Sequence, residues 1–208
     1  KERGALGTAF DNGFMLMPAN KQQLDTFTER YPQDAPYVNA LTRAQYPLYT
    51  DTDARYFPIG EDYFEQLIAD LEKAEKFIFI QYFIVATGQL WNRMHEILLR
   101  KIHQGVEVRL LYDDVGCFFK IPDGFEKGLR AEGFKVAIFS PAHRFVSSFY
   151  LNYRNHEKIV VIDGQIGYAG GVNLADEYVN INSKLGHWKD VGIRLDGSAV
   201  RSLAIIFF

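Results

Sequence analysis

The chain has 208 residues, enough to bury a sizeable core, and at 48% hydrophobic and 24% charged it has the composition of a globular protein rather than a disordered or fibrous one. Its net charge of -3 lacks the basic excess of nucleic-acid binders, so no nucleic-acid partner is expected. The single cysteine, Cys117, excludes a disulfide scaffold and a thiolate zinc site, and it reads as a buried or semi-buried thiol.

Residues 1–50 read as an irregular extension or linker, punctuated by Pro18, Pro32, Pro36 and Pro47, with one short helix around Lys21–Arg30. From Ala54 the pattern becomes regular. A short strand over Arg55–Ile59 leads into a helix over Glu61–Glu75, with Phe64, Leu67, Ile68 and Leu71 at helical spacing. Lys76–Val85 is almost continuously apolar, which predicts a strand buried on both faces. Leu90–His103 repeats the helical logic, with Met94, Ile97, Leu98 and Ile102 on one stripe and Gly105 as the stop. A strand over Val106–Tyr112 ends in Asp113-Asp114, a helix over Gly124–Glu132 follows, and Phe134–Phe139 forms the next strand. Two short strands, Lys158–Asp163 and Gln165–Ala169, meet at Asp163-Gly164, a hairpin turn. Val191–Leu195 is the last predicted strand. The closing run, Leu203–Phe208, reads as a helix cut off mid-packing, so both ends are expected to be excisions from a longer protein. No run approaches the ~20 apolar residues that span a bilayer, and any anchoring segments would lie outside this chain. Strands alternating with helices argue for an α/β sandwich with a mixed sheet.

The chemistry concentrates in Asn155–Tyr178, NHEKIVVIDGQIGYAGGVNLADEY. His156 and Lys158 are two residues apart at the mouth of an extended segment, so both side chains point to one face. An imidazole can attack phosphorus and form a covalent phosphoamidate. An ammonium beside it neutralises phosphate oxygens, and the Asn173 amide adds a directed hydrogen bond. Gly170 and Gly171 let backbone approach the phosphate closely. No metal or other cofactor is called for. Singly, each residue has a bland reading: a surface His, a solvated strand-edge Lys, a Gly-Gly turn. Their order and spacing together are far more specific.

His156-x-Lys158, four residues, Asp163, six residues, then Gly170-Gly171-x-Asn173 resembles the HKD signature of the phospholipase D superfamily. The following Asp176-Glu177-Tyr178, with Trp188-Lys189-Asp190 and Arg194-Leu195-Asp196-Gly197, resembles bacterial cardiolipin synthases, as do KFIFIQYFI and GVEVRLLYDDVG. The resemblance runs from about residue 50 to the end. It implies a phospholipase D-like α-β-α sandwich with a mostly parallel, mixed central sheet, residues 51–208 being the first, C-terminally truncated domain. It implies catalytic roles for His156, Lys158 and Asp163, the last mainly structural. Gly171 and Asn173 would bind phosphate, and Asp190 would orient His156 through a hydrogen bond. The reaction implied is phosphatidyl transfer from one phosphatidylglycerol to another through a phosphohistidine, giving cardiolipin and glycerol. Its setting would be the bacterial cell membrane, with phosphatidylglycerol, an anionic phospholipid membrane and a second HKD domain of the parent chain as partners.

Two departures from the family pattern stand out. Gln81 occupies a position where the family often has Glu. The family site uses two HKD motifs and this chain has one, so the fragment alone is expected to be inactive. His143 and His187 lack an accompanying Lys and Asn, and His95 and His103 sit on a helix where a structural role is expected. One alternative is therefore a single-HKD phosphodiesterase, nuclease- or phospholipase-like, that completes its site by homodimerisation. Another is a non-catalytic half-domain that binds lipid phosphate.

Two further features have competing readings. Asp113-Asp114 is weighed as a metal-binding pair against a helix cap or loop acceptor, and the cap is favoured. Arg144, Arg154 and the aromatics of 145–153 read either as a lipid-facing lip, with Arg154 contacting a head-group phosphate, or as core.

Overall fold

A computed structural model describes residues 21–44, 46–141, 153–183 and 186–208. Two helices come first, α1 (Lys21–Arg30) and α2 (Ala35–Arg43). The first matches the expectation. The second corrects the reading of this region as otherwise irregular: Pro36 stands at the first turn of α2, where a proline starts a helix rather than breaking one.

A seven-stranded sheet follows, formed by β1 (Thr52–Phe57), β2 (Phe77–Tyr82), β3 (Glu107–Asp113), β4 (Lys135–Phe139), β5 (Ile159–Ile162), β6 (Ile166–Gly170) and β7 (Gly192–Gly197), in the spatial order β1-β7-β6-β5-β2-β3-β4. The sheet is mixed, as predicted, but parallel pairing is confined to β2-β3 and β3-β4. The other four pairings are antiparallel, so the expectation of a mostly parallel sheet is corrected. The strand-helix alternation that forces parallel crossovers extends only from β2 to β4. Beyond it, the β5-β6 hairpin reverses direction through the three residues between the paired Ile162 and Ile166, with Asp163 (φ 54°) and Gly164 (φ 72°) at positive φ and Gln165 N donating to Ile162 O at 3.1 Å.

One face of the sheet carries α3 (Gly60–Leu71) and α4 (Gln89–His103), which bury Leu67, Leu71, Met94 and Leu98 against Ile78, Ile80 and Tyr82. The other face carries α7 (Val200–Phe207). Phe79 faces this helix, stacking on Phe207 with centroids 4.9 Å apart. β2 is thus buried on both faces, as its unbroken apolar run predicts, and the closing apolar run packs as a helix. A buried carboxylate joins the layers: Asp70 of α3 accepts from Tyr168 Oη (2.6 Å) and Arg194 Nε (2.7 Å), tying α3 to β6 and β7.

The end of the sheet that matters most is where β2 and β3 finish and β5 begins. A four-residue helix, α5 (Asp114–Cys117), turns there, and α6 (Phe125–Ala131) follows. Asp176, in a 3-10 turn over Asp176–Val179, accepts from Gln89 N (3.0 Å) and Leu90 N (2.8 Å), capping the start of α4 with a negative charge where the helix dipole favours one.

Candidate active site

Residues 153–158 lead into β5 at this end of the sheet. The exposed His156 ring lies over Phe83, with centroids 4.7 Å apart and tilted by 52°. Lys158, only 4% exposed, folds back toward it. Its Nζ lies 3.1 Å from His156 Nδ1, donates to the His156 carbonyl at 2.5 Å and sits 5.4 Å from the Phe83 ring centre. Burial disfavours the ammonium and pulls the lysine pKa down to about 8, while the negative charge of Asp190 opposes the shift.

The Gly-Gly-x-Asn run comes in beside this pair from the end of β6. Asn173 is buried, and its Oδ1 accepts from Ile84 N at 3.0 Å, just beyond Phe83; its amide also meets the Tyr178 hydroxyl. Gly171 donates its backbone N–H to Val191 O at 3.0 Å. A Cβ at Gly171 would stand 2.1 Å from Asp190 Oδ1, so only glycine lets the carboxylate come this close. His156, Lys158, Gly171, Asn173 and Asp190 therefore meet at one end of the sheet.

Two expected roles change, those of Asp190 and Arg154, and the mainly structural role expected of Asp163 is located away from His156. Asp190 Oδ1 accepts from Val191 N at 2.8 Å, and among the described residues the carboxylate makes no hydrogen bond to His156; its influence reaches the site through the charge felt at Lys158. Asp163 is not brought to the site at all. It lies seven residues beyond His156, roughly 23 Å along an extended chain, at the far end of β5. There its carboxylate accepts from Glu75 N, Lys76 N and Phe77 N, each at 2.8 Å, and holds the start of β2. Arg154 turns inward: its guanidinium pairs with Asp113 Oδ1 at 3.3 Å and donates to Ser140 Oγ at 3.0 Å, which withdraws it from head-group contact. Most of the lip read from residues 145–153 lies outside the described residues; Tyr153 is exposed and packs against Phe139, 5.6 Å away.

The role of Asp163 makes a prediction. Asp163→Ala loses three charge-assisted hydrogen bonds and places alanine at positive φ, at a cost of roughly 2–4 kcal/mol. The expected result is a lower melting temperature, with turnover unchanged in the protein that remains folded. Loss of turnover without loss of stability would return Asp163 to the site.

Sequence reasoning missed other parts. Phe83, the shelf under His156, reads in the sequence only as part of the apolar run Lys76–Val85; the strand ends one residue before it, at Tyr82. Gln81, whose role the departure from Glu left open, is buried and donates to Glu157 Oε2 at 2.6 Å, bracing the residue between His156 and Lys158. Asp113 caps α5 through Gly116 N (3.0 Å), as the favoured reading has it, and also accepts from Asn155 N (3.1 Å). Cys117 is buried, accepts from Val85 N, and has its thiol pKa pushed up to about 12 by burial, as suits a packing residue. His95 is structural too, paired with Glu132 and stacked on Trp91 and Phe134.

Comparison with known proteins places this geometry in context. In fold, the chain is similar to NucT from Helicobacter pylori (TM-score 0.56, 15% identity, covering 75% of this chain and 92% of that one). It is also similar to Nuc, a phospholipase D family member from Salmonella typhimurium (TM-score 0.52, 13% identity, 75% and 90% covered). In sequence, it is 45% identical over 151 residues to a cardiolipin synthase of Oceanobacillus iheyensis, covering 73% of this chain and 31% of that protein. It is 41% identical over 148 residues to the major cardiolipin synthase ClsA of Bacillus subtilis, covering 71% and 30%. The chain thus spans about a third of the length of these relatives. Residues 67–188, which include the whole of Asn155–Tyr178, match the family model described as cardiolipin synthase, PLD-like domain. The chain belongs to that family, the phospholipase D-like domains of cardiolipin synthases.

Proposed function

We propose that this chain supplies the nucleophilic half of a phosphatidyltransferase site that makes cardiolipin from two molecules of phosphatidylglycerol. The observation that carries the reading is the Lys158 ammonium held against the His156 imidazole, with the Gly171–Asn173 backbone beside them. In the first half-reaction, His156 Nε2 attacks the phosphorus of one phosphatidylglycerol. The bond from phosphorus to the glycerol oxygen breaks, and glycerol leaves after taking a proton. In the second, the terminal hydroxyl of another phosphatidylglycerol gives up its proton and attacks phosphorus, and the bond to His156 breaks. Throughout, Lys158 and Asn173 neutralise and hold the phosphoryl oxygens.

For Nε2 to attack, its lone pair must be free, so the ring proton belongs on Nδ1. Nδ1 faces the Lys158 ammonium, a donor, which favours the opposite tautomer. An arriving phosphate competes for that ammonium and draws Nζ away, so substrate binding itself prepares the nucleophile. The proton shuttle to leaving glycerol and from the incoming hydroxyl is assigned to the second HKD domain of the parent chain. Phosphatidylglycerol reaches the site from an anionic bacterial membrane. No helix among the described residues is long and apolar enough to cross one, so contact with the membrane is assigned to its surface or to other parts of the parent protein.

A pH dependence follows from Lys158. Its pKa is lowered to about 8, so the charged form that binds phosphate is present below that value and lost above it. The alkaline limb of kcat/KM for the full-length enzyme is expected near pH 8. Asp190→Asn removes the charge that opposes the shift and should move the limb to lower pH; a limb that stays in place would separate Asp190 from Lys158.

The direct test of the reading is product stoichiometry from vesicles of phosphatidylglycerol. Full-length protein should release one glycerol per cardiolipin formed. Phosphatidic acid as the only lipid product would make water the acceptor and the protein a phospholipase. Turnover confined to a symmetric dimer with two copies of His156 in one site would support the single-motif reading.

A further inference from the structure

We propose that Asp113 is a positioning residue for His156, acting through the backbone rather than on the substrate. The inference rests on the reading of His156 as the nucleophile. Asp113 ends β3 and is fully buried, and both of its oxygens are engaged. Oδ1 accepts from Gly116 N at 3.0 Å and faces Arg154 Nη1 at 3.3 Å; Oδ2 accepts from Asn155 N at 3.1 Å. A helix cap needs only the first of these contacts and an ion pair only the second. The third fixes the amide immediately before the nucleophile.

The placement matters because the sheet does not hold this segment. The ladder between β2 and β5 begins at the pair Gln81 and Ile159, three residues after His156. Residues 153–158 carry no regular secondary structure, so the direction of the imidazole depends on side-chain anchors. Asp113 anchors Asn155 from the end of β3. Gln81 anchors Glu157 from the end of β2, through a 2.6 Å hydrogen bond, and Asn155 Oδ1 accepts from Glu157 N at 3.1 Å. The residues on either side of His156 are therefore tied to two different strands and to each other.

The same carboxylate also sets what lies beneath the ring. By capping Gly116 N it holds the α5 turn, and that turn packs so tightly on the Phe83 carbonyl that a Cβ at Gly116 would stand 2.1 Å from the oxygen. Phe83 is the shelf on which His156 rests. One buried acid thus fixes both the backbone that carries the nucleophile and the surface that limits its tilt.

Misplacing a reacting group by about 1 Å costs on the order of 10²-fold in rate, and this sets the expected effect. The experiment uses the full-length protein, with turnover of phosphatidylglycerol and melting temperature as readouts. Two variants are compared, Asp113→Ala and the neutral pair Asp113→Asn with Arg154→Met. The pair removes the charge without leaving Arg154 buried and uncompensated, so it decides the matter if Asp113→Ala does not fold. The amide in the paired variant offers one acceptor oxygen where the carboxylate offered two, so Gly116 N and Asn155 N cannot both be held as before. The expected result is a fall in kcat of about 10²-fold with KM for phosphatidylglycerol within about twofold. A purely structural role would lower the melting temperature and leave kcat of the folded protein unchanged, and parental kcat in the paired variant would overturn the proposal. His156→Ala is measured alongside. If it is inactive while the paired variant turns over normally, Asp113 fails alone. If His156→Ala is itself active, the nucleophile reading fails, and the proposal with it.

Discussion

His156→Ala in the full-length protein is expected to abolish both release of glycerol and formation of cardiolipin, a loss of at least ~10⁴-fold in kcat. The size of the effect follows from covalent catalysis. Without an attacking nitrogen there is no intermediate to form and none to resolve, and Lys158 and Asn173 would hold a phosphate that nothing attacks. The fold should survive. His156 is exposed, and the described contacts of its side chain are to the Phe83 ring and to Lys158 Nζ, neither of which organises the core. Unchanged melting with no turnover is the expected combination, checked by calorimetry and product analysis on one preparation. Undiminished cardiolipin formation would remove His156 from the mechanism.

Lys158→Met should cost about 10²–10³-fold in kcat/KM, the range for deleting a single donor that stabilises developing negative charge. Here activity and stability move apart. Lys158 is 4% exposed, and burial pulls its pKa down to about 8, meaning that the fold holds the charged form against a desolvation cost. Methionine fills a similar volume without that cost, so the variant should melt no lower than the parent. Because its folded-state pKa lies below the ordinary lysine value, the stability cost of charging Lys158 is fully present below about pH 8. It is relieved as pH rises through the window between that value and the ordinary one. The substitution should flatten this part of the pH-stability curve and remove the alkaline limb from the rate profile. A variant that is less stable and fully active would assign Lys158 to the core instead.

The parts of the site that were legible in the sequence are those governed by local periodicity. Spacing by two placed His156 and Lys158 on one face, and an unbroken apolar run marked β2 as buried on both faces. What was not legible depends on partners far apart in sequence. The predicted strand already puts Asp163 at the opposite end from His156, but only the pairing of β5 with β2 shows what it holds there, the backbone N–H groups of Glu75, Lys76 and Phe77. Arg154 has the charge of a head-group ligand, but Asp113, 41 residues earlier, draws it inward. Gln81 and Glu157 meet across 76 residues. No window of sequence contains both members of such a pair. The sheet shows the same limit. Helices between strands announced the parallel pairs β2-β3 and β3-β4, whereas nothing local announced that β1 and β7 would close the antiparallel side.

A covalent phosphatidyl intermediate on His156 is tested most directly by mapping the adduct. Full-length protein is mixed with phosphatidylglycerol, denatured at neutral or alkaline pH within the first turnovers, digested and examined by mass spectrometry. The phosphatidyl mass is expected on the peptide that contains His156, with fragmentation placing it on the imidazole. An adduct on a different residue, formed and consumed at the rate of turnover, would contradict an intermediate on His156.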